Sequence, residues 1–466
     1  MKTVSYGSVA WRFTLARRTR GSTRSRGVER TVARVIGAVR REGDRALVRF
    51  AARFDGVRLG PAAFRVPARD LRALARRADP EVVAALRRMA SRVAVFHRAQ
   101  KGRGFVHRLA DGSMLAERVG PIASAGLYVP GGAGAYPSSV LMNAIPARVA
   151  GVSRLVVATP PRTLEANPAV AAALCLVGLE GAVYRVGGAQ AIAALAFGTE
   201  SVPAVSKIVG PGNAFVTEAK RQVRGRVEID SEAGPSEVVV LADDTAHPGH
   251  VAADLLAQAE HGSGDETVVL VTPSAGLARE VAHLVAEGCA RVANPRAARH
   301  ALLQGVIVLV RDLEQGIRAV NDLAAEHAQV MTRNPAAVAR RVVAGAVFVG
   351  EWSPVAAGDY GIGPNHVLPT GGAARFASGL SVRDFERRHS VVRLTRRGLA
   401  RIAGDVVAVA RAEGFVGHAQ SVLARFDGDP RRDGHRGTEG TENDQETKNE
   451  KKSGPRRSIN RLERVS

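Results

Sequence analysis

The chain reads as an α/β protein with two doubly wound parallel-sheet units and a small helical C-terminal region. Three observations carry that reading. Short apolar β-rich runs alternate with Ala-rich helical runs from Gly120 to Val349, the βαβ pattern of parallel sheets covered by helices. Gly/Pro turns punctuate the junctions between these runs. The 466 residues exceed what one hydrophobic core usually serves.

In chain order, residues 31–54 have the spacing of an amphipathic helix, with Val32, Val35, Ile36, Val39, Ala46 and Leu47 on one side. Asp55-Gly56 breaks it. A second long helix spans 80–98, with Asp79 as N-cap and Pro80 in the first helical position. Strands are expected at 125–129, 154–158, 182–186, 206–209, 237–242 and 267–272. Helices are expected between them at 138–150, 168–176, 189–197 and 214–223. After Ser381 the chain turns helical and charged, with helices at 399–414 and 418–426. From 427 to 466 the Gly, Glu, Lys, Arg, Asn and Thr content cannot bury a core, and this extension is expected to be disordered.

Composition narrows the function classes. Cys175 and Cys289 lie far apart and in no CxxC pair, which excludes a disulfide framework and a thiolate zinc site and fits a reducing cytosol. No segment approaches the roughly 18 apolar residues of a membrane helix. The formal net charge of +22 invites a nucleic-acid reading. The arginines are instead dispersed along helical faces such as 72–77 and 87–92, with no nucleic-acid-binding motif beside them. The start, 1–30, has the Arg- and Ser-rich composition of a transit peptide. Arg outnumbers Lys all the way to Asp427, so the bias belongs to the whole chain, and a cytoplasmic location is expected.

Several residues have the types that chemistry needs. Gln258 and His261 close a largely apolar helical run and stand three apart, on one helical face. They suit a metal or a polar substrate; with Gly262 they equally suit an ordinary helix C-terminus. Three glycine turns, 128–132, 187–190 and 210–213, each follow a strand and precede a helix. Such turns admit a nucleotide or phosphate, although none is a GxGxxG fingerprint. Glu326-His327 offers an acid–base pair at a strand end or loop, or else a helix-terminal charge pair. The stretch 351–370 reads as a long loop with Asp359 as a hard oxygen ligand and His366 as a structural residue. Glu413 and His418 bracket the turn between the last two helices. Gln258, His261, Asp359 and His418 together match an N2O2 catalytic zinc site.

These pieces resemble the histidinol dehydrogenase family from 35 to 425. The stretches that carry the resemblance are GDRALVRFAARFDGV, GLYVPGGAGAYPSSVLMNAIPARVAGV, VGGAQAIAALAFGTESVPAVSKIVGPGNAFVTEAKRQV, AGPSEVVVLAD, LLAQAEHG, GDYGIGPNHVLPT and GLSVRDF. The resemblance implies oxidation of L-histidinol to L-histidine through the aldehyde, in two NAD-dependent steps, as the last step of histidine biosynthesis. It implies zinc on Gln258, His261, Asp359 and His418, and acid–base roles for Glu326 and His327. Tyr128, Gln190 and Asn213 would contact NAD. Ser236, His327 and Glu413 would contact substrate, together with the metal ligands. It also implies a homodimer in which Glu413 and His418 serve the partner's site. The fold it implies is Rossmann-like: 1–127 with 237–380 as the main domain, 128–236 as the NAD domain, 381–426 as a dimerisation tail. Ala325 and Ala328 stand where the family usually has Pro and Leu, and a Pro would stiffen that turn. That departure motivates an alternative substrate, another small alcohol or diol such as a sulfonated propanediol.

Overall fold

Both large sheets are parallel throughout. The computed structural model describes residues 1–19, 26–131, 136–232, 234–261 and 264–427, without the side chains of 17–19. The strands are β1 (Lys2–Ser5), β2 (Phe105–Arg108), β3 (Met114–Pro121), β4 (Ser124–Tyr128), β5 (Arg154–Thr159), β6 (Val183–Arg185) and β7 (Lys207–Val209). There follow β8 (Glu228–Ile229), β9 (Glu237–Ala242), β10 (Thr267–Thr272), β11 (Val306–Leu309), β12 (His327–Met331), β13 (Ala346–Val349) and β14 (Glu386–Arg393). Six form a sheet in the order β1-β11-β10-β9-β12-β13, and five form a second in the order β6-β5-β4-β7-β8. Every neighbouring pair in these two sheets is parallel. A small sheet has the order β14-β3-β2.

The sequences of the central strands explain why they sit there. β9 reads EVVVLA and β10 reads TVVLVT, and every residue of both is buried. Such unbroken apolar runs suit a parallel sheet covered on both faces. Alternate residues serve opposite layers: Val238 and Val240 enter one core, Val239 and Leu241 the other. The five-stranded sheet divides likewise, with Ala125 and Leu127 on one side and Tyr128 on the other.

The expected strands and helices of the sheet region are present within a residue or two. Asp79 caps the helix Pro80–Ala99 by accepting from the Glu81 N–H. Where one helix was expected over 31–54 there are two and a π turn: Arg26–Glu42, Asp44–Phe50 and Ala51–Asp55. The break falls at Gly43, at φ 54°, and Glu200 accepts from the Asp44 N–H at 2.8 Å. These N-terminal helices pack on the five-stranded sheet. Val32, Val35 and Val39 share a core with Ile192 and Ile208, and Leu86 and Val93 share one with Leu127. The sequence reading grouped them with 237–380 instead. β1, too short for its alternation to stand out in an Arg-rich start, is an edge strand beside β11.

The chain divides into two compact units. One comprises Met1–His107 and Ala116–Val391 and carries both large sheets. The other comprises Arg108–Leu115 and the chain from Val392, and its helices Arg396–Ala412 and Val416–Leu423 pack against each other. Its boundary falls later than the expected 381. The extension after Asp427 lies outside the described residues, as do Gly132 and Gly262. Among the described residues no helix is long and apolar enough to cross a membrane. Cys175 and Cys289 are both free thiols.

Candidate active site

In the six-stranded sheet the strand order reverses between β9 and β12. Ligands of doubly wound sheets usually bind outside the carboxyl ends of strands at such a reversal. Here the acid–base pair sits at the opposite, amino ends. The helix Leu313–Leu323 closes on Ala324, whose φ of 44° turns the chain back toward the sheet. Glu326 follows in the connection, and His327 opens β12, paired with Val238 and Ala346. The Gly345 N–H donates to the Ala325 carbonyl at 3.0 Å, and Ala346 N–H to that of Glu326 at 2.9 Å. The backbone of the pair is therefore held by the sheet without the proline.

Glu326 and His327 are both buried. Glu326 Oε2 accepts from Ser236 Oγ at 2.5 Å and from the Glu237 N–H at 2.9 Å. His327 Nδ1 stands 2.9 Å from the Glu237 carbonyl oxygen. A carbonyl only accepts, so Nδ1 carries the proton and the neutral ring keeps its lone pair on Nε2. Burial pushes the Glu326 carboxyl up to about 7, against the Ser236 and Glu237 hydrogen bonds that favour its ionised form. Burial lowers His327, which keeps the imidazole neutral and able to take a proton.

Asp359 lies in a short helix, Val355–Tyr360, inside the stretch read as a loop. Buried Val355 anchors the helix, and Gly358 lets it seat on Phe348: a Cβ there would meet the ring at 2.5 Å. Burial raises the Asp359 carboxyl, while the nearby His327 and His261 favour its ionised form. His366 Nδ1 donates to the Asp359 carbonyl at 3.1 Å, and its Nε2 faces Ser139 Oγ at 3.4 Å. Burial takes His366 down to about 4. His327, Phe348, Asp359, Asn365 and His366 line one cavity.

Gln258 occupies the last turn of the helix Pro248–Ala259, which packs against the Asp359 helix. It is 3% exposed, and neither Oε1 nor Nε2 has a hydrogen-bond partner. His261 is exposed and lies just past the Glu260 cap rather than on the helix, close enough to act on Glu326, His327 and Asp359. The first unit thus brings together Ser236, His261, Glu326, His327 and Asp359, with Gln258 on an adjoining helix. Glu413 and His418 belong to the second unit, on either side of the turn through Gly414, and both are exposed. Among the described residues no three His, Cys, Asp or Glu side chains gather closely enough to hold a metal. One residue was not singled out from sequence for what it does here: Glu237, whose backbone orients both members of the pair and whose Oε2 accepts from the Glu326 N–H at 3.2 Å; His366, read as structural, braces Asp359.

The expected cofactor contacts lie at the five-stranded sheet. Its order reverses between β4 and β7, and here the turns are at the carboxyl ends, where a ligand crevice belongs. Tyr128 ends β4, and its buried hydroxyl accepts from the Gly188 N–H at 3.0 Å. Burial drives that hydroxyl up to about 12. Gln190 is buried in the first turn of the helix Gly188–Phe197. Asn213 caps the helix Ala214–Val223, its Oδ1 accepting from Phe215 and Val216 N–H at 3.0 and 3.2 Å.

Comparison with known proteins agrees with this architecture. The family model described as histidinol dehydrogenase matches residues 18–426. A histidinol dehydrogenase of Syntrophotalea carbinolica is 46% identical over 411 residues, covering 87% of this chain and 94% of that protein. One of Thermosynechococcus vestitus is 45% identical over 402 residues, covering 85% and 92%. The crystal structure of histidinol dehydrogenase from Elizabethkingia anophelis superposes with a TM-score of 0.85 at 33% identity, covering 91% of this chain and 98% of that one. With these matches spanning both large sheets and the helical C-terminal region, the chain belongs to the histidinol dehydrogenase family.

Proposed function

We propose that the protein oxidises L-histidinol to L-histidine through L-histidinaldehyde in two NAD-dependent steps. The observation that carries this reading is the paired Glu326 and His327, one carboxyl near neutrality and one neutral imidazole with a bare Nε2. The two oxidations present two proton transfers, one from the alcohol and one from water, and the pair offers a group for each. In the first oxidation His327 Nε2 takes the alcohol proton as the carbinol carbon loses hydride. In the second, Glu326 takes a proton from water, which adds to the aldehyde, and the hydrate then loses hydride. Ser236 and the Glu237 N–H hold the Glu326 carboxylate in place for that step.

The residues fit zinc: Gln258 offers a buried carboxamide with no internal partner, and Asp359 a carboxylate beside His261. His418 would complete the N2O2 set, and Glu413 would meet the cationic substrate. Zinc held by these residues would supply a positively charged template for orienting the substrate, and Tyr128, Gln190 and Asn213 would hold the NAD that takes up the hydride. We further propose a homodimer in which Glu413 and His418 serve the partner's site. Its support is the exposed apolar stripe Ile402, Val406 and Val409, with Phe415 and Val416 beyond it. The test is turnover of histidinol by the zinc-loaded protein, with and without a chelator. Loss of turnover on chelation and its return with zinc are expected; turnover of another small alcohol in place of histidinol would overturn the substrate.

A further inference from the structure

A buried ion pair stands beside the cofactor crevice and has no part in the chemistry above. Lys220 and Asp230 pair in the core with side chains 2% and 4% exposed. Burying two charges is costly unless their remaining hydrogen bonds are well used. Each member of the pair makes a further bond to one residue, Gly210. Lys220 Nζ donates to the Gly210 carbonyl at 3.0 Å, and the Gly210 N–H donates to Asp230 Oδ2 at 2.8 Å. Both polar groups of Gly210 are therefore clamped by one pair. Gly210 needs the clamp: its φ is 116°, and a Cβ there would stand 2.2 Å from the Tyr128 carbonyl oxygen. The turn it opens leads through Pro211 and Gly212 to Asn213. Asp230 Oδ1 also accepts from the Ser231 N–H at 2.7 Å, a local bond to the next residue in the chain.

We propose that Lys220 and Asp230 are positioning residues for the dinucleotide. They lock the Gly210 turn against Tyr128 so that the crevice between β4 and β7 is formed before NAD arrives. This rests on the reading that Tyr128, Gln190 and Asn213 contact NAD. A pre-formed crevice spares the ligand the cost of ordering it, so loosening the clamp weakens NAD while leaving histidinol binding alone.

The test separates this role from plain stability. A buried ion pair replaced by apolar residues of similar size often leaves stability unchanged. The double variant Lys220→Met with Asp230→Leu therefore keeps the fold but loses both bonds to Gly210. Calorimetric titration of the full chain with NAD is expected to give an affinity about tenfold or more weaker, with histidinol affinity close to that of the unaltered protein and a Tm lowered by the two Gly210 groups left unpaired. Unchanged NAD affinity in the folded double variant would overturn the proposal. Should that variant fail to fold, the isosteric Asp230→Asn is judged by the same criterion. Asn213→Ala is titrated alongside: if it weakens NAD and the clamp variant does not, only the clamp fails. If neither weakens NAD, the cofactor-site reading fails with it.

Discussion

Removing the Ser236 hydroxyl, as Ser236→Ala, should move the pH dependence of the second oxidation by a predictable amount. Glu326 is lifted to about 7 by burial, and the hydrogen bonds from Ser236 and Glu237 work the other way by favouring the carboxylate. A hydrogen bond to a charged group contributes about 1.5–3 kcal/mol, and one pKa unit corresponds to about 1.4 kcal/mol. Loss of the Ser236 bond should therefore raise the Glu326 pKa by roughly one to two units. The sign follows from the role: Glu326 must be ionised to accept a proton from water, so activity rises with pH through its pKa. Near neutral pH the ionised fraction falls from about one half to between about a tenth and a hundredth, a loss of roughly 5- to 50-fold that alkaline buffer restores. The assay is kcat against pH with histidinaldehyde as substrate, which isolates the second oxidation and does not depend on how tightly free substrate binds. An acidic limb that stays where it lies in the unaltered protein would refute the assignment of Glu326 as the base.

The remaining predictions are these. His327→Asn should cut histidinol oxidation by about 10²- to 10⁴-fold while sparing histidinaldehyde, and Glu326→Gln should do the reverse; single-turnover NADH formation from each substrate distinguishes them. Gln258→Ala should lower the zinc retained after dialysis, read by elemental analysis, because a buried carboxamide with no internal partner is then absent from the ligand set. Ala324→Gly should stabilise the protein by about 0.5–1 kcal/mol in urea, since the left-handed conformation costs an L side chain roughly 1–2 kcal/mol and glycine's extra unfolded freedom offsets part of that. Its kcat should not change, because Ala324 is buried and glycine keeps the same left-handed turn.

The sheet region was legible because its strands are unbroken apolar runs between glycine turns, a pattern that survives without neighbours. What was less legible depended on tertiary contacts. The helices of 26–55 carry clear amphipathic faces, but periodicity does not say which sheet an apolar face will cover, and theirs cover the five-stranded one. β1 has four residues and is mostly exposed, so its pairing with β11 rather than its composition makes it a strand. The stretch 351–370 reads as loop from its Gly, Pro, Asp and Asn content, yet Val355 and the seat of Gly358 on Phe348 wind one part into a helix. The pair Glu326-His327 stood out by residue type. Its orientation did not, because it rests on Glu237, partly through a backbone carbonyl and N–H that leave no mark on residue identity and partly through a buried carboxylate that accepts from the Glu326 N–H only once the two strands pair. The family motifs pointed to Tyr128, Gln190 and Asn213 as proposed NAD contacts, whereas Lys220 and Asp230 read in sequence as two ordinary charges.

The central claim is that one protein carries histidinol through two successive oxidations. Counting NADH formed per histidinol consumed, with zinc and NAD supplied and histidine identified as product, tests it most directly. The expected ratio is about two, since each oxidation transfers one hydride to the cofactor. A ratio of one with histidinaldehyde accumulating, or no NADH at all, would contradict it.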